Sequence, residues 1–365
     1  WSLGFPQVTA GATVLGPHLG DLPDILNYDD IEDSRKQEIL NQIPASGSSL
    51  DVDVRAPLVT LQNRNFALGV AYGFLGSHSV DRDVVDLFFN GYTTGRRDYT
   101  VQNTRGSRAT FWDFAAAYGR SVGPVSVGAT GHYYLGRGLV QTRAFAPTYF
   151  PLGTDVQVEY VGVGADGGHG FGLDVGAAME PVPGLTLSAA VANVASSMTW
   201  SDDRTGRRIV LTNADFQAQD FQSVLDRYDE SEQDLGTTPT GRFAEVAQGL
   251  TDDTDFPTTL RLGAAFALPG GLTTVSGQYQ DNLTEGRLSG SWDRLLGLGV
   301  QQRLGFLTAR VGLSSDLDDA NIVGGGLTLG PVDLGLAKFT NGKVDDASRN
   351  GWMASFGLSV RARRL

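Results

Sequence analysis

The residues of this sequence that could do chemistry are few, and their spacing fits no common catalytic or metal site. The chain of 365 residues has 4 histidines and no cysteine. His18, His78, His132 and His169 show none of the paired spacings that hold zinc. No Gly-x-Ser-x-Gly motif marks a nucleophilic serine. The sequence therefore predicts a protein that is not an enzyme and uses no metal and no cofactor.

Two local patterns resemble catalytic motifs. His132 stands between Thr130 and Tyr134 on one face of a predicted strand, so a hydrolase triad inside a barrel is an alternative to a hydrogen-bonded structural histidine. Residues 162–167 match Gly-x-Gly-x-x-Gly, but a dinucleotide site needs a helix after the motif, and a new strand is predicted there. We favour the structural histidine and a chance match in a chain with 48 glycines.

Acidic side chains are concentrated between residues 197 and 256, which contain 13 Asp or Glu residues but only 5 Arg residues. A divalent ion at Asp252, Asp253 and Asp255 is an alternative to an ordinary solvated surface. The spacing of a complete EF-hand is absent, so the solvated surface is favoured.

Composition excludes two further classes. The net charge of −13 argues against a nucleic-acid partner, because neutralising phosphates requires a basic surface. No run of 18 apolar residues exists, so the sequence predicts no transmembrane helix. Strands of a membrane barrel remain possible because their hydropathy signal is weak.

The elements that must position all these residues are strands with a period of two. In the stretch Asn350–Arg361, apolar side chains alternate with small or polar ones, which gives one apolar and one polar face. The same pattern predicts strands at 2–15, 48–60, 65–77, 109–121, 124–137, 170–180, 184–196, 257–268, 271–281, 291–303, 305–314, 320–329, 331–338 and 350–361.

The connections between these strands alternate between short and long. The short ones are rich in Gly and Pro, and the long ones lie near 16–47, 78–108, 138–169 and 197–256. Tight turns on one side and long loops on the other are typical of an antiparallel meander in a membrane. We therefore predict an all-β fold with a single domain over residues 1–365. It is a closed antiparallel transmembrane β-barrel of about 14 strands, with short helices in the extracellular loops.

The polar faces of the predicted strands carry charges of both signs. An interior network of ion pairs is the favoured interpretation, and a selectivity filter is the alternative. The predicted lumen charges are Asp51, Asp53, Arg55, Asp113, Asp174, Arg261, Arg303 and Arg310.

Helical spacing inside the long loops predicts helices near 30–43, 81–90 and 242–250, and another that Asn213 could cap. Their apolar faces could simply pack together over the barrel mouth, or they could form a groove for an apolar ligand or a partner. The candidate groove residues are Leu87, Phe88, Phe216, Phe221, Leu225 and Tyr228.

Three stretches and the strand layout resemble the FadL-type superfamily of outer-membrane proteins, which includes long-chain fatty-acid transporters and the PorV-like barrels of type IX secretion. The stretches are Pro183–Val194, Pro257–Ala264 and Trp1–Gly4. The resemblance implies a fourteen-stranded barrel whose outer loops form a hydrophobic groove, and an N-terminal hatch that plugs the lumen. The sequence departs from the pattern at the hatch, because the first predicted strand begins almost at Trp1.

Two functions follow as hypotheses. The first is an outer-membrane barrel of a Gram-negative-type bacterium that binds or passes small hydrophobic compounds. The second is a PorV-like secretion or surface-anchoring barrel whose loops bind an extracellular or periplasmic protein. In both, the only other partner expected is outer-membrane lipid.

Overall fold

A computed structural model describes residues 2–17, 31–91, 98–147, 156–201, 203–218, 221–252, 256–284, 294–317, 321–344 and 347–361. Among them, one antiparallel sheet accounts for most of the chain. None of the described helices has the length and apolar character needed to cross a membrane.

The strands are β1 (Ser2–Leu15), β2 (Ser48–Asn63), β3 (Phe66–Val80), β4 (Arg105–Val122), β5 (Val125–Phe145), β6 (Val158–Ala165), β7 (Gly168–Val182), β8 (Leu185–Trp200), β9 (Arg204–Leu211), β10 (Gln233–Gly236), β11 (Thr259–Ala267), β12 (Thr273–Asn282), β13 (Arg294–Leu304), β14 (Leu307–Ser315), β15 (Asn321–Leu329), β16 (Val332–Val344) and β17 (Ala347–Arg361). The helices are α1 (Asp33–Gln42), α2 (Arg82–Asn90), α3 (Asn213–Ala218), α4 (Phe221–Glu230) and α5 (Gly241–Asp252).

Fourteen of these strands close into a ring, which confirms the predicted fold class. Neighbours in sequence pair from β1 to β5, then β5 pairs with β7, β8 with β11, and β11 to β17 follow in order. The ring closes where β1 pairs with β17, for example Ala10 opposite Ala354 and Ala12 opposite Trp352. Each of the fourteen predicted strands corresponds to one strand of this ring.

Three strands that the sequence analysis assigned to loops extend the sheet above the ring. β5 pairs with β7 over Val125–Gly136, but its last residues, Leu139–Phe145, leave β7 and pair with β6. β6 then pairs with β9, and β9 with β10. At 21 residues, β5 is about twice as long as a membrane-crossing strand needs to be. We call the upper end of β5 together with β6, β9 and β10 the extension sheet.

The two faces of the ring differ as the alternation predicted. Outward side chains such as Phe66 and Leu298 are 62% and 66% exposed, although they are fully apolar. Exposure of so many large apolar side chains is expected where lipid covers the outside. Trp352 and the aromatic pair of Tyr72 and Trp112 also lie on this face. The Lys338 ammonium lies 5.5 Å from the centre of the Trp352 ring. Such aromatic and basic side chains are typical of the membrane–water boundary.

Helices cover both faces of the extension sheet. On the face continuous with the lumen, Val246 and Ala247 of α5 pack on Val161 and Val163 of β6. On the opposite face, α2, α3 and α4 form a second core; its fully buried members include Leu87 and Phe216. α1 packs on α2 through Ile39, Leu40 and Phe89. The four predicted helical regions are therefore helical, and the region predicted to begin at Asn213 forms two helices, α3 and α4.

Asp81 anchors the start of α2 to the loop that leads into β4. Its carboxylate accepts hydrogen bonds from the backbone N–H groups of Asn103 (2.7 Å) and Thr104 (3.1 Å) and from the Asn103 amide (3.0 Å). Thr104 Oγ1 in turn accepts a hydrogen bond from Asp81 N at 2.9 Å. Asp81 is fully buried, so its removal leaves the buried backbone N–H of Thr104 without this partner.

We predict that Leu336→Arg blocks insertion of the barrel, whereas Ala337→Arg is tolerated. Leu336 points outward near the middle of β16, and Ala337 points into the lumen. A charge on the lipid face near mid-depth costs about 2–4 kcal/mol, and far less on the lumen face. Folding into lipid vesicles, followed by the heat-sensitive gel shift of barrels, measures both variants. Equal losses would contradict the assigned facing.

We also predict that Asp81→Ala loosens the extracellular helices while the ring stays closed. Each buried donor left without a partner costs about 1–3 kcal/mol. Limited trypsin digestion should cut near Arg82 faster in Asp81→Ala than in the wild type. The matched control is Asp86→Ala, which removes a carboxylate of the same helix that accepts a hydrogen bond from the Asn90 amide at 2.7 Å. Similar cleavage of the two variants would refute the anchoring role of Asp81.

Candidate functional site

An open groove of about 560 Å³ lies on the outward face, where the ring passes into the extension sheet. We call it the outer groove. Its position follows from the register: Val52, Gly76, Arg108, Val140, Gly164 and Thr205 are successive partners across six strands, on the face that carries the lipid-facing side chains. Phe74 of the groove stands only two residues beyond Tyr72 of the Tyr72–Trp112 pair. The groove therefore begins where the membrane-facing surface ends.

Glycines make the floor of the outer groove. Gly76, Gly106, Gly162 and Gly164 lie in two adjacent rows of cross-strand partners. A side chain at Gly106 would meet His78 Nδ1 at 2.5 Å and Thr142 Oγ1 at 2.8 Å, so the groove exists because these positions lack a Cβ.

Apolar and aromatic side chains make the walls. Leu50, Val52, Phe74 and Val140 line the side next to the ring, and Tyr160 and Tyr228 line the side next to α4. The two tyrosine rings stand 5.5 Å apart, and Tyr160 donates a hydrogen bond to Thr142 Oγ1 at 2.8 Å. Burial raises the pKa of the Tyr228 phenol and that of Tyr160, so both stay neutral at physiological pH.

The positive charge of Arg207, on the α4 side of the groove, is compensated by two neighbouring carboxylates. Arg207 donates to Glu232 Oε2 at 2.5 Å and to Asp229 Oδ1 at 3.0 Å. The hydrogen bond to Glu232 raises the pKa of Arg207 above its ordinary value, so the ion pair persists at any physiological pH. Arg108 and Asp166, one of each sign, complete the charged lining. The groove thus offers a largely apolar surface without a strong net charge.

The structure separates the predicted groove residues. Leu87 and Phe216 are fully buried in the core formed by α2, α3 and α4, and the Phe88 ring packs against the Phe216 ring at 5.2 Å between centroids. Leu225 is 40% exposed on α4, and the side chain of Phe221 lies outside the described residues. Tyr228 alone among the described members of the set lines the outer groove.

The predicted lumen charges near His132 form a compact group that we call the lumen cluster. His132 Nδ1 is 2.9 Å from Asp113 Oδ1, and its Nε2 is 3.3 Å from Asp174 Oδ2. Arg55 approaches the other oxygen of Asp113 at 3.5 Å. Asp113 is 4% exposed despite its position in a barrel lumen. Charges of both signs therefore meet here in an interior ion-pair network.

Hydrogen bonds continue from the lumen cluster to the segment that follows α5. Asp174 accepts the backbone N–H of Asn193 at 2.8 Å, and Asn193 is held in the left-handed region at φ 52°. The Asn193 amide donates to the carbonyl of Pro257 at 3.2 Å, and Thr258 Oγ1 donates to the carbonyl of Asn193 at 2.9 Å. The cluster thus fixes Pro257 and Thr258, which lead into β11.

An aromatic layer covers the lumen cluster on its extracellular side. The Phe256 ring packs on Tyr134 at 4.5 Å and on Phe111 at 5.3 Å. Tyr134 also stacks on His132 at 5.7 Å. α5 and Phe256 therefore close the half of the lumen that adjoins β4, β5 and β8.

The remaining lumen charges lie at separate points of the inner face. Asp51 and Asp53 stand on β2 above Arg55, and Arg261 interacts electrostatically with Asp174 from β11. Arg310 pairs with Asp333, and Arg303 lies near a short turn at the end of β13. In the described part of the chain, no three His, Asp or Glu side chains gather as metal ligands would. Asp253 and Asp255 lie outside it.

Solved structures of similar fold are named as hydrocarbon channels or transporters. The structure titled "TodX deltaS2S3 mutant monoaromatic hydrocarbon channel" matches at a TM-score of 0.53 and 10% identity, over 98% of this chain and 89% of that one. The structure titled "CymD monoaromatic hydrocarbon channel" matches at a TM-score of 0.51 and 13% identity, over 99% and 89%. The toluene transporter TbuX of Ralstonia pickettii shares 14% identity over 98% and 90%, with a TM-score of 0.48. At these identities the likeness shows the closed β-barrel fold alone.

Comparison with curated proteins finds no match. A family model matches residues 140–337, which are more than half of the chain and run from the end of β5 through α5 to β16. The matched region includes the extension sheet and one side of the outer groove. The chain belongs to DUF5723, a family of unknown function.

Proposed function

We propose that this barrel receives a small hydrophobic compound in the outer groove and passes it to the outer leaflet of the membrane. The observation that carries the proposal is the groove itself: a glycine floor with apolar and aromatic walls, placed directly above the lipid-facing surface. Concave, mostly apolar sites with a few polar groups are the usual binding sites for small molecules.

The direction of passage rests on what adjoins the groove. Below it, the outward face continues through Phe74, Val54 and Tyr72 without a charged side chain. Toward the lumen, the sheet itself is the barrier, and the lumen cluster and the Phe256 layer stand behind it. For an apolar ligand, the path along the outer face keeps apolar surface out of water, which is worth about 0.8 kcal/mol per buried CH₂ group.

The similar channels support the same class of ligand. Their titles describe a toluene transporter and monoaromatic hydrocarbon channels. At the identities given above, this chain shares only its fold with those channels. The ligand class proposed for this chain therefore rests on the chemistry of the groove. The alternative is a PorV-like secretion or surface-anchoring barrel whose extracellular loops bind a protein partner. Leu225, 40% exposed on α4, is the residue that such a partner would cover first.

We predict that Val140→Trp weakens binding of a small apolar probe about tenfold or more, which corresponds to about 1.4 kcal/mol. The indole would occupy the groove between Arg108 and Gly164, which flank Val140 in the register. The measurement is titration of N-phenyl-1-naphthylamine fluorescence with the barrel in lipid nanodiscs, against empty nanodiscs as the baseline.

The matched control is Val127→Trp on the same strand and the same face, nearer the short turns, where Val127 is 47% exposed to lipid. This variant should bind the probe like the wild type. The proposed function would be refuted if nanodiscs with the wild-type barrel bound no more probe than empty nanodiscs. It would also be refuted if both tryptophan variants weakened probe binding equally. A loss of protein capture rather than of probe binding on Leu225→Glu would favour the docking alternative.

A further inference from the structure

The lumen has a second half whose chemistry differs from that of the lumen cluster. Apart from Arg261, Arg303 and Arg310, the inner faces of β8 and of β11 to β15 carry mostly small, uncharged polar residues or glycine. We call this surface the neutral wall, and its central residues are Ser188, Gly263, Ser276, Gly299, Gly312 and Ser314. It lies across the barrel from the strands that carry Asp113 and His132.

Side chains this small leave space in the lumen. One cavity of about 420 Å³ and another of about 550 Å³ lie along the neutral wall. Both are lined by Ser276, Gly299, Gly312 and Ser314, so they are continuous. On β14 the space runs from Arg310, near the short turn, to Ser314, next to the last residue of the strand. A barrel wider than eight strands is not filled by its own side chains unless they are large.

The charge along this space is balanced. Among the described residues that line the smaller cavity, every one is uncharged. The larger cavity contains Arg310 and Asp333, which pair with each other, and Arg310 also donates to Thr328 Oγ1 at 3.1 Å. Neither an anion nor a cation is favoured by such a surface, whereas hydroxyl and amide groups can exchange hydrogen bonds with a hydrated, uncharged solute.

We infer that the neutral wall lines a water-filled path for small, uncharged, hydrophilic solutes, separate from the outer groove. α5 and Phe256 pack on β4, β5 and β6, and on the extracellular end of β8 through Met198 and Trp200, ten residues or more along the strand from Ser188 of the neutral wall. A polar lumen beside an apolar outer groove sorts two classes of solute by surface: hydrated ones pass inside the ring, and apolar ones stay outside it. This inference does not depend on the proposed function.

The test is swelling of liposomes that contain the full chain, in an isotonic solution of a neutral pentose. Wild-type vesicles should swell faster than protein-free vesicles, and a neutral trisaccharide should enter more slowly than the pentose. The double variant Ser276→Trp/Ser314→Trp narrows the lumen and should lower the pentose rate about threefold or more, because pore width limits passage.

The control is Val275→Trp/Leu313→Trp, whose positions precede those residues on the same strands and point to lipid, with 42% and 60% exposure. It should swell at the wild-type rate. Swelling no faster than that of protein-free vesicles, or equal slowing by both double variants, would overturn the path along the neutral wall. If the inward double variant does not show the gel shift of a folded barrel, the single Ser314→Trp variant replaces it, with Leu313→Trp as its control.

Discussion

The closed ladder of backbone hydrogen bonds is the constraint on which the rest of this structure depends. Hydrocarbon offers no partner to a backbone N–H or C=O group, and each one left without a partner costs several kcal/mol. The pairing of β1 with β17 removes the two edges that fourteen strands would otherwise expose. Because closure fixes which residues point outward, it also confines charged side chains to the lumen or to the region beyond the membrane.

That confinement explains where the chemistry of the molecule lies. Asp113 and His132 face inward, where each finds an opposite or complementary group within 3 Å. The groups of the outer groove face outward, but they occur only above the Tyr72–Trp112 pair, where β5 outgrows the membrane and turns to pair with β6. The extension sheet packs against helices on both faces, with the outer groove left open on one of them, and forms a small layer built on a membrane barrel. A site at the junction can meet both lipid and the extracellular medium.

The strands of the ring could be predicted from the sequence, whereas those of the extension sheet could not, for one physical reason. A ring strand alternates because lipid covers one face and a polar lumen the other. β6, with the sequence Val-Glu-Tyr-Val-Gly-Val-Gly-Ala, is buried on both faces under α5 and α4, so the polar–apolar period is lost. The outer groove could not be predicted for a related reason, because its glycine floor forms only when several strands pair in the right register. Leu87 and Phe216, two of the apolar residues predicted to form a groove, are instead buried in the core.

The two halves of the lumen and the outer groove together set what each class of solute can do. Moving an apolar compound from the groove to the neutral wall would expose it to water beside Ser276 and Ser314, at a cost that grows with its apolar area. Moving it toward Phe74 and Tyr72 brings it to hydrocarbon instead. A hydrated solute experiences the opposite preference, since the apolar lipid-facing surface below the groove offers it few hydrogen-bonding partners. Under the two proposals, the wall of the barrel separates the solutes by polarity without any moving part, and the Phe256 layer covers the charged half of the lumen.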